Sequence, residues 1–324
     1  MKEFKFITHA NHDPYFNLAS EEFLLKHTEG FYIYLWINAP SVIVGVNQNA
    51  IEEVNLTYTD KNGIKVVRRL TGGGAVYHDY NNLCYTVIAP YEEGENQYKK
   101  FSAPVIEYLN SIGVYAEFSG RNDLLIDAKK FSGNAQTVYK NRIMHHGTLL
   151  FDSDLSVLEK ALNPNKLKME SKGIKSVRSR VTTIRQHLKQ SMTIEQFKEG
   201  LSNYFLANAI PYEFTENDLQ KINQLVKEKY SQFSWNVGNS PKGNNVFEKK
   251  YSFGVFKLVF DTAQGKVQNA VISGDFFTKK DVKELAEKLN GVEFTKSGVE
   301  SVLNEIADYV HGADAKTLIE DIFS

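Results

Sequence analysis

The pattern of apolar and polar positions predicts a helix followed by a series of short strands. Residues 15–27 carry apolar side chains at nearly helical spacing directly after Asp13-Pro14, a pair that is typical of a helix start. Four runs rich in β-branched and aromatic residues follow, each bounded by Gly, Pro or Asn: FYIYLW, SVIVGVN, IKVVRRL and LCYTVIAP. Such runs predict strands.

Helices and strands continue to interleave beyond these runs. Residues 99–112 predict a helix that ends at Gly113, and the runs DLLID and RIMHHGTLLFD return to strand character. The order lacks the strict alternation of a doubly wound fold. We therefore expect an α+β protein with a large mixed sheet.

The pattern changes at Asn163, where the segment NPNKLKMESKGIKSVRSRVTTIRQHLK is rich in Lys and Arg and poor in large apolar residues. This composition predicts a mobile basic loop. Helical stretches follow at 193–208 and 216–229, and then a turn-rich tract, WNVGNSPKGNN. We take this tract as the boundary between a domain of residues 1–244 and a domain of residues 245–324.

The second domain has its own elements. The runs YSFGVFKLVF and KVQNAVISGDFF flank the turn DTAQG, which predicts a hairpin. Residues 279–289 and 299–309 have helical spacing. The smaller domain is therefore also expected to be α+β.

Composition excludes several classes of protein. Of the 324 residues, 42% are hydrophobic and 24% are charged, which is typical of a globular protein, and the net charge of −1 argues against a surface built for nucleic acid. A single cysteine rules out an intramolecular disulfide framework. No stretch has the roughly 20 apolar residues of a membrane span, and the first residues do not resemble a signal peptide. We expect a cytoplasmic protein that acts without nucleic acid or membrane.

The most informative motif is RRLTGGGAVYHD, which starts at Arg68 and lies between two strand-like runs. Consecutive glycines let backbone amides converge on an anion, and two arginines beside them add permanent positive charge. The motif has neither the lysine of a P-loop nor the last glycine of a dinucleotide fingerprint. Phosphate or carboxylate binding is favoured over a hairpin turn with solvated arginines, because a two-residue turn would not require three glycines.

A second motif, KKFSGNAQ, places Lys129 and Lys130 before a predicted Ser-Gly bend. A lysine that projects from a strand end into a cleft would stabilise negative charge on a reacting carboxylate and phosphate. For an arbitrary lysine pair, two solvated turn residues are the more common case. A Schiff-base lysine is a third possibility, but nothing nearby favours it.

Histidine and cysteine give weaker signals. His145 and His146 are adjacent in a strand-like run, so their side chains should lie on opposite faces and not chelate one metal. Each is interpreted as a structural histidine, although one could contact a ligand. Cys84 lies inside an apolar strand, where a thiol is usually buried, has a raised pKa and does not act as a nucleophile.

Taken together and in order, RRLTGGGAVYHD, GRNDLLID, KKFSGNAQ, HHGTLLFD and KGIKSVRSRV resemble the lipoate-protein ligase A family. The resemblance covers most of residues 1–240 and extends to SWNVG and a small C-terminal domain. It implies the biotin and lipoate ligase fold. It also implies that lipoate and MgATP give lipoyl-AMP and pyrophosphate, after which a lysine of a lipoyl domain attacks the mixed anhydride. Asn134 departs from the family, where a smaller serine is expected.

Site residues carry over by position as what the resemblance implies. Lys130 would contact both the acyl carbonyl and the adenylate phosphate. The expected ATP contacts, besides Lys130, are Arg69, Gly74, Ala75, Val76, Tyr77 and Asn82. The expected lipoate contacts, besides Lys130, are Arg68, Gly72 and Gly73. The expected loop over the adenylate includes Lys172, Gly173, Lys175, Val177 and Arg178. Asp123 would help to place Mg²⁺ or Lys130.

Three hypotheses for the function follow. The first is an ATP-dependent ligase that acts on the lipoyl domains of 2-oxoacid dehydrogenase E2 subunits and on the glycine cleavage H protein. The second is an ATP-independent lipoyl or octanoyl transferase, but such enzymes use a cysteine elsewhere and generally lack the C-terminal domain. The third is a non-catalytic protein that binds an acyl-adenylate or nucleotide. The sequence favours the first.

Overall fold

The structure is a computed structural model that describes residues 4–93, 97–120, 122–162, 180–237, 245–263 and 265–323. Most of the predicted basic loop, including residues 163–179, lies outside the described residues. The strands are β1 Phe4–Thr8, β2 Phe31–Ile37, β3 Ser41–Val44, β4 Lys65–Arg68, β5 Val76–His78, β6 Asn82–Pro90, β7 Ala116–Ser119, β8 Asp123–Ile126, β9 Lys129–Tyr139, β10 Arg142–Leu150, β11 Ala209–Pro211, β12 Asn245–Tyr251, β13 Gly254–Ala263 and β14 Lys266–Gly274.

The helices interleave with these strands. They are α1 Pro14–His27, α2 Ala50–Glu53, α3 Leu56–Lys61, α4 Gln97–Ser111, α5 Leu155–Ala161, α6 Ile194–Leu206, α7 Glu216–Leu225, α8 Phe233–Asn236, α9 Val282–Leu289, α10 Lys296–Leu303, α11 Ile306–Tyr309 and α12 Ala315–Ile322. A 3-10 turn, Ile184–His187, precedes α6, and a π-helical turn, Val226–Tyr230, follows α7. No helix in the described ranges is long and apolar enough to cross a membrane.

A large mixed sheet organises the first part of the chain. In the described residues it has eight strands in the order β11-β1-β2-β6-β10-β9-β8-β7. Strand β1 is parallel to β2 and β11, whereas the other neighbours are antiparallel. The predicted α+β class with a large mixed sheet is confirmed.

Strand periodicity places a core on each face of this sheet. On β2, Leu35 belongs to the core under α4 and α6, and Trp36 belongs to the core under α1. Strand β6 alternates in the same way, with Tyr85 in the first core and Cys84 in the second. Because successive side chains point to opposite faces, two layers of helices can be held by one sheet.

A small sheet with the order β4-β3-β5 carries the triple-glycine motif. Strand β3 is parallel to β4 and antiparallel to β5, and the glycines connect β4 to β5. The predicted strand, loop, strand unit is confirmed. Asp13 caps α1 through a bond from the Tyr15 amide, and this helix packs between the small sheet and the large one.

The last described part, residues 245–263 and 265–323, forms a sheet of β12, β13 and β14 covered by helices α9 to α12. The predicted hairpin is confirmed by the antiparallel pair β13 and β14. The single helix predicted over 299–309 is wrong, because the chain breaks between α10 and α11. The apolar spacing of Val302, Leu303 and Ile306 continues across the break, so periodicity does not reveal it.

The predicted Ser-Gly bend after Lys130 is also wrong. Ser132 and Gly133 lie inside β9, opposite residues of β8. The turn falls earlier, at Asp127 and Ala128, whose φ angles are 49° and 60°. Two successive positive φ angles make the tight hairpin that aligns β8 with β9.

Candidate active site

One cavity of about 200 Å³ brings together the two motifs singled out from the sequence. Its lining includes Arg69 and the glycine loop from the small sheet and Lys130 from β9. The full lining is Leu18, Trp36, Ile43, Arg69, Gly73, Gly74, Ala75, Val76, His78, Cys84, Asn122, Lys130, Gly133, Asn134, Ala135, His146, Gly147, Thr148 and Phe277. The cationic groups and the glycine amides therefore share one cleft.

The guanidinium of Arg69 shapes the glycine loop. Its Nη2 donates to the carbonyls of Gly72 and Gly74 at 2.7 and 2.9 Å, its Nη1 donates to the Ile43 carbonyl at 3.0 Å, and its Nε donates to Thr71 Oγ1 at 2.9 Å. Burial lowers the pKa of Arg69 to about 10, so the group keeps its charge at neutral pH. A buried cation bound to two loop carbonyls fixes the loop conformation and adds positive potential to the cavity.

A buried carboxylate extends this network behind the cavity. Glu21 is 1% exposed, and its Oε1 lies 2.9 Å from His146 Nδ1 and accepts from Thr86 Oγ1 at 2.6 Å. On the other side of the ring, His146 Nε2 lies 2.8 Å from Thr71 Oγ1. Because Thr71 already accepts from Arg69, its hydroxyl proton can go to His146 Nε2, and the ring then donates from Nδ1 to Glu21. The network links α1 to the glycine loop.

Lys130 is presented by the β8–β9 hairpin at a more exposed part of the cavity. Its Nζ lies 2.7 Å from Asp123 Oδ1, and the two side chains are 39% and 38% exposed. A Cβ at Gly133 would lie 2.9 Å from that Nζ, so the glycine leaves room for the amine. Lys129 is exposed and lies on the opposite face of the strand. Of the lysine pair, only Lys130 contributes to the cavity.

Asn134 fits the cavity wall because a glycine lies opposite. Its Oδ1 accepts from Tyr85 Oη at 2.5 Å, and its backbone amide donates to the Asn122 carbonyl at 2.9 Å. Any Cβ at Gly147 would collide with Asn134 Oδ1. The side chain of Asn134 is therefore accommodated by packing between β9 and β10, which sequence reasoning missed.

The deep end of the cavity is almost closed to solvent. Trp36, His78 and Cys84 are 2%, 3% and 1% exposed. Burial raises the pKa of the Cys84 thiol, and Asn82 Nδ2 donates to its sulfur at 3.2 Å. Cys84 is therefore a buried, protonated thiol, as predicted. Burial, with Arg69 and His146, lowers the pKa of His78 to about 3, so its ring is neutral at physiological pH.

The C-terminal part of the chain contributes one wall. The ring of Phe277 lines the cavity, and the preceding Phe276 carbonyl accepts from the Gly73 amide at 3.3 Å. A Cβ at Gly72 would collide with the same carbonyl. The Gly274 amide also donates to the Asn47 carbonyl at 2.7 Å. The glycine loop therefore lines the cavity and also contacts the C-terminal part of the chain, a role that the motif alone did not suggest.

Some expected contacts do not line the cavity. Arg68 is 2% exposed, and its guanidinium donates to five backbone carbonyls, those of Gly45, Val46, Gln48, Trp235 and Asn236. Gly72, Tyr77 and Asn82 are not among the residues that line the cavity. For these four residues, ligand contact stays a prediction. The expected adenylate loop, Lys172, Gly173, Lys175, Val177 and Arg178, lies outside the described residues.

His145 and His146 behave as their spacing predicts. His146 lines the cavity, whereas His145 is buried on the other face, where its ring nitrogens lie 3.1 Å from Tyr85 Oη and 2.9 Å from Gln136 Nε2. In the described part of the chain, no group of three His, Cys, Asp or Glu side chains could hold a metal ion. The carboxylate of Asp123 is the acidic group at Lys130.

Comparison with known proteins gives consistent matches along the chain. Residues 13–206 match the family model of the lipoyl protein ligase A/B catalytic domain, and residues 240–322 match that of the bacterial lipoate protein ligase C-terminus. Over 311 residues the chain is 44% identical to lipoate-protein ligase LplJ of Bacillus subtilis, covering 93% of this chain and 94% of the relative.

The solved structures that resemble this one include one with bound lipoate and one with bound ATP. A crystal structure of P. falciparum LipL1 in complex with lipoate superposes with a TM-score of 0.77 and 25% identity, covering 98% of both chains. A crystal structure of lipoate-protein ligase A bound with ATP superposes with a TM-score of 0.63 and 26% identity, covering 73% of this chain and 99% of the other.

Proposed function

This chain belongs to the lipoate-protein ligase family, and from that premise we propose how its own residues join lipoate to a protein lysine with ATP. The observation that carries the proposal is the shared cavity of Lys130, Arg69 and the glycine loop. The relatives are named as ligases and one similar structure holds ATP, which supports a ligase and not the ATP-independent transferase.

In the first step, a carboxylate oxygen of lipoate attacks the α-phosphorus of ATP, and the bond to the departing pyrophosphate breaks. Both reactants are anions, so the site must offset their repulsion. Lys130 and Arg69 place positive charge at one cavity, and the glycine loop allows close approach of a phosphate. Lys130 holds the carboxylate and the phosphate together in the geometry of attack.

In the second step, a lysine amine of the acceptor attacks the acyl carbonyl, the bond to AMP breaks, and the amine loses a proton. Lys130 polarises that carbonyl and stabilises the charge that develops on its oxygen. The ion pair with Asp123 positions the Lys130 amine. The deep, enclosed end of the cavity holds the acyl chain away from water.

Magnesium is proposed to enter with ATP. Mg²⁺ is commonly bound by one or two carboxylates, with phosphates and water completing its coordination. The single carboxylate of Asp123 beside Lys130 fits that requirement, although its ion pair with Lys130 makes positioning of the lysine the more direct role. The metal supplies charge neutralisation on the phosphates when it is bound.

The remaining assignments are proposals drawn from the family. The acceptors are lipoyl domains of 2-oxoacid dehydrogenase E2 subunits and the glycine cleavage H protein. The chain divides into a catalytic domain, 1–244, and an accessory domain, 245–324. A chain with one buried cysteine fits the reducing cytoplasm.

The decisive experiment replaces Lys130 with alanine. We expect lipoate-dependent ATP–pyrophosphate exchange to fall by about 100-fold or more, because one preorganised charge contact is commonly worth that much. Lys129→Ala is the matched control, since Lys129 is exposed on the other face of the same strand. Mass spectrometry of a purified lipoyl domain reports the second step. Exchange by Lys130→Ala at the rate of the control would remove Lys130 from this role.

A further inference from the structure

One residue that lines the cavity has a buried hydrogen-bonding atom without a partner among the described residues. His78 Nε2 makes no hydrogen bond with the described residues, although the ring is 3% exposed. Six other buried side-chain atoms in the described ranges share this property, but none belongs to a residue that lines the cavity. A buried polar atom without a partner is costly, and in a binding site it is commonly satisfied by the ligand.

The neighbours of His78 determine which nitrogen carries the proton. Asn17 Nδ2 donates to the backbone carbonyl of Ile37 at 3.1 Å and to Asn38 Oδ1 at 2.9 Å. A carbonyl can only accept, so the Asn17 amide is fixed, and Asn38 must face His78 with its Nδ2. That Nδ2 lies 3.1 Å from His78 Nδ1. Nδ1 is therefore the acceptor.

The thiol of Cys84 is compatible with the same assignment. Its sulfur accepts from Asn82 Nδ2 at 3.2 Å and lies 3.6 Å from His78 Nδ1, so the thiol proton can also go to Nδ1. Because burial keeps the ring neutral, the one ring proton lies on Nε2. His78 Nε2 is thus a donor, and Nδ1 is covered by Asn38 and Cys84.

The exposure of the lining residues orients the acid in the cavity. Lys130, which takes the carboxylate in the proposed function, is 39% exposed, whereas Trp36 and His78 are 2% and 3% exposed. An acid with its carboxylate at Lys130 therefore extends its far end toward Trp36, His78 and Cys84. In lipoate that end is a dithiolane ring, whose two sulfurs are weak hydrogen-bond acceptors.

We propose that His78 is a specificity residue that donates its Nε2 proton to a dithiolane sulfur and so favours lipoate over acids with a hydrocarbon end. The inference rests on the proposed function and adds the choice of acid to it. A hydrocarbon at the same place leaves the buried donor unpaired, and a site built to donate a hydrogen bond rejects an analogue that cannot accept it.

The test compares lipoate with a carbocyclic analogue in which a cyclopentane ring replaces the dithiolane. Shape and length are nearly matched, so the sulfurs are the main difference. With the wild-type protein we expect kcat/KM for ATP–pyrophosphate exchange to be about tenfold higher for lipoate, given a weak acceptor and an otherwise unpaired donor. Equal values would overturn this inference alone. Absence of exchange with both acids would overturn the proposed function and the inference with it.

Two variants locate the effect at Nε2. His78→Phe keeps a ring but cannot donate, so the preference for lipoate should fall from about tenfold to near unity. His78→Gln can place an amide donor near the position of Nε2 and should restore most of the preference. A tenfold preference that persists in His78→Phe would overturn the proposal, as would equal loss of preference in both variants.

Ser273→Ala is the matched control. Ser273 Oγ is also buried without a partner among the described residues, but Ser273 does not line the cavity. Its replacement should leave the ratio of kcat/KM values for the two acids unchanged. A change as large as that in His78→Phe would show that the preference reflects general packing, and would overturn the assignment to His78.

Discussion

Glu22 shows how a single buried carboxylate joins two helical segments. It is 4% exposed, and its Oε2 accepts from Lys229 Nζ and Tyr230 Oη, both at 2.7 Å, while Lys26 Nζ lies 2.9 Å from Oε1. Burial alone would raise its pKa, but the attraction and hydrogen bonds of Lys229 and Lys26 are stronger, so the pKa of Glu22 lies below its usual value of 4.5. The ion pair therefore stabilises the fold while Glu22 is ionised.

The pH dependence of this pair can be tested with Lys229→Met. A lowered carboxyl pKa stabilises the folded state above pH 4.5, and that stability is lost as the pH falls through the pKa of Glu22 in the folded protein. We expect Lys229→Met to lower the free energy of unfolding by about 1–3 kcal/mol at pH 7. The difference in the free energy of unfolding between wild type and variant should become smaller at acidic pH. Urea unfolding at several pH values measures both.

Lys227→Met is the control, because Lys227 is exposed on the same π-helical turn. Its effect should be within about 0.5 kcal/mol at every pH. A deficit in Lys229→Met that does not change with pH would mean that lost packing against Trp235, whose ring centroid lies 4.0 Å from Lys229 Nζ, accounts for the effect.

For single residues, the sequence predicted which side chains supply the chemistry better than it predicted what those side chains contact. Three glycines next to two arginines, and a lysine on a strand, are residue types whose chemistry is local, and the structure brings Arg69 and Lys130 to one cavity. The sequence could not predict that Arg69 lines the cavity whereas Arg68 does not. Both are buried arginines on one strand end, and only tertiary packing decides that Arg68 binds backbone carbonyls outside the cavity.

Among the elements, the triple-glycine loop needs glycine for two different reasons, one steric and one conformational. Gly72 faces the Phe276 carbonyl, where a Cβ would collide, whereas a Cβ at Gly74 would meet nothing within 4 Å. Gly73 has a φ of 90°, which favours glycine. Thus Gly72 is required for contact with the C-terminal part, and Gly73 for the turn.

Replacing Gly72 and Gly74 in turn separates these roles. Gly72→Ala should lower the free energy of unfolding by about 1–3 kcal/mol, because the methyl group forces the Phe276 segment to move. Gly74→Ala should change it by less than about 0.5 kcal/mol. Urea unfolding measures both values. Equal losses would mean that the loop requires flexibility and that contact with Phe276 is not the cause.

The predicted elements were right where apolar residues are buried along a regular run, as in β2 and β6, which are buried on both faces. They were wrong where a turn depends on backbone conformation. Asp127 and Ala128 form the β8–β9 turn without the usual glycine, and Ser132-Gly133 looks like a turn but continues β9. Whether such a segment turns or continues as a strand depends on the strand that pairs with it, and the sequence alone does not show which strand that is.

In the whole molecule, the cores on the large sheet and in the C-terminal part are built from separate residues. The core of the C-terminal part includes Leu285, Leu303 and Leu318, all fully buried, and takes all its buried members from beyond residue 252. A core on the large sheet includes Leu201 and Leu109. We therefore expect the two parts to lose stability separately.

Leu285→Ala tests this separation. Its cavity should cost about 2–5 kcal/mol, and native-state hydrogen exchange should show faster exchange in β13 and β14 while β2 and β6 keep their protection. Leu201→Ala, at an equally buried position on α6, should give the reverse pattern. Loss of protection in both sheets from either variant would show that the two parts unfold together.

The glycine loop belongs to the small sheet, and Lys130 belongs to the large one. The distance between the glycine loop and the Lys130 amine therefore depends on how the two sheets pack, and neither motif determines it alone. Grafting RRLTGGGAVYHD onto a foreign scaffold would transfer the glycine loop without the Lys130 amine, because Lys130 lies on the other sheet. A protein engineer who wanted to transfer this site to another scaffold would have to move both sheets together with α1, which packs between them.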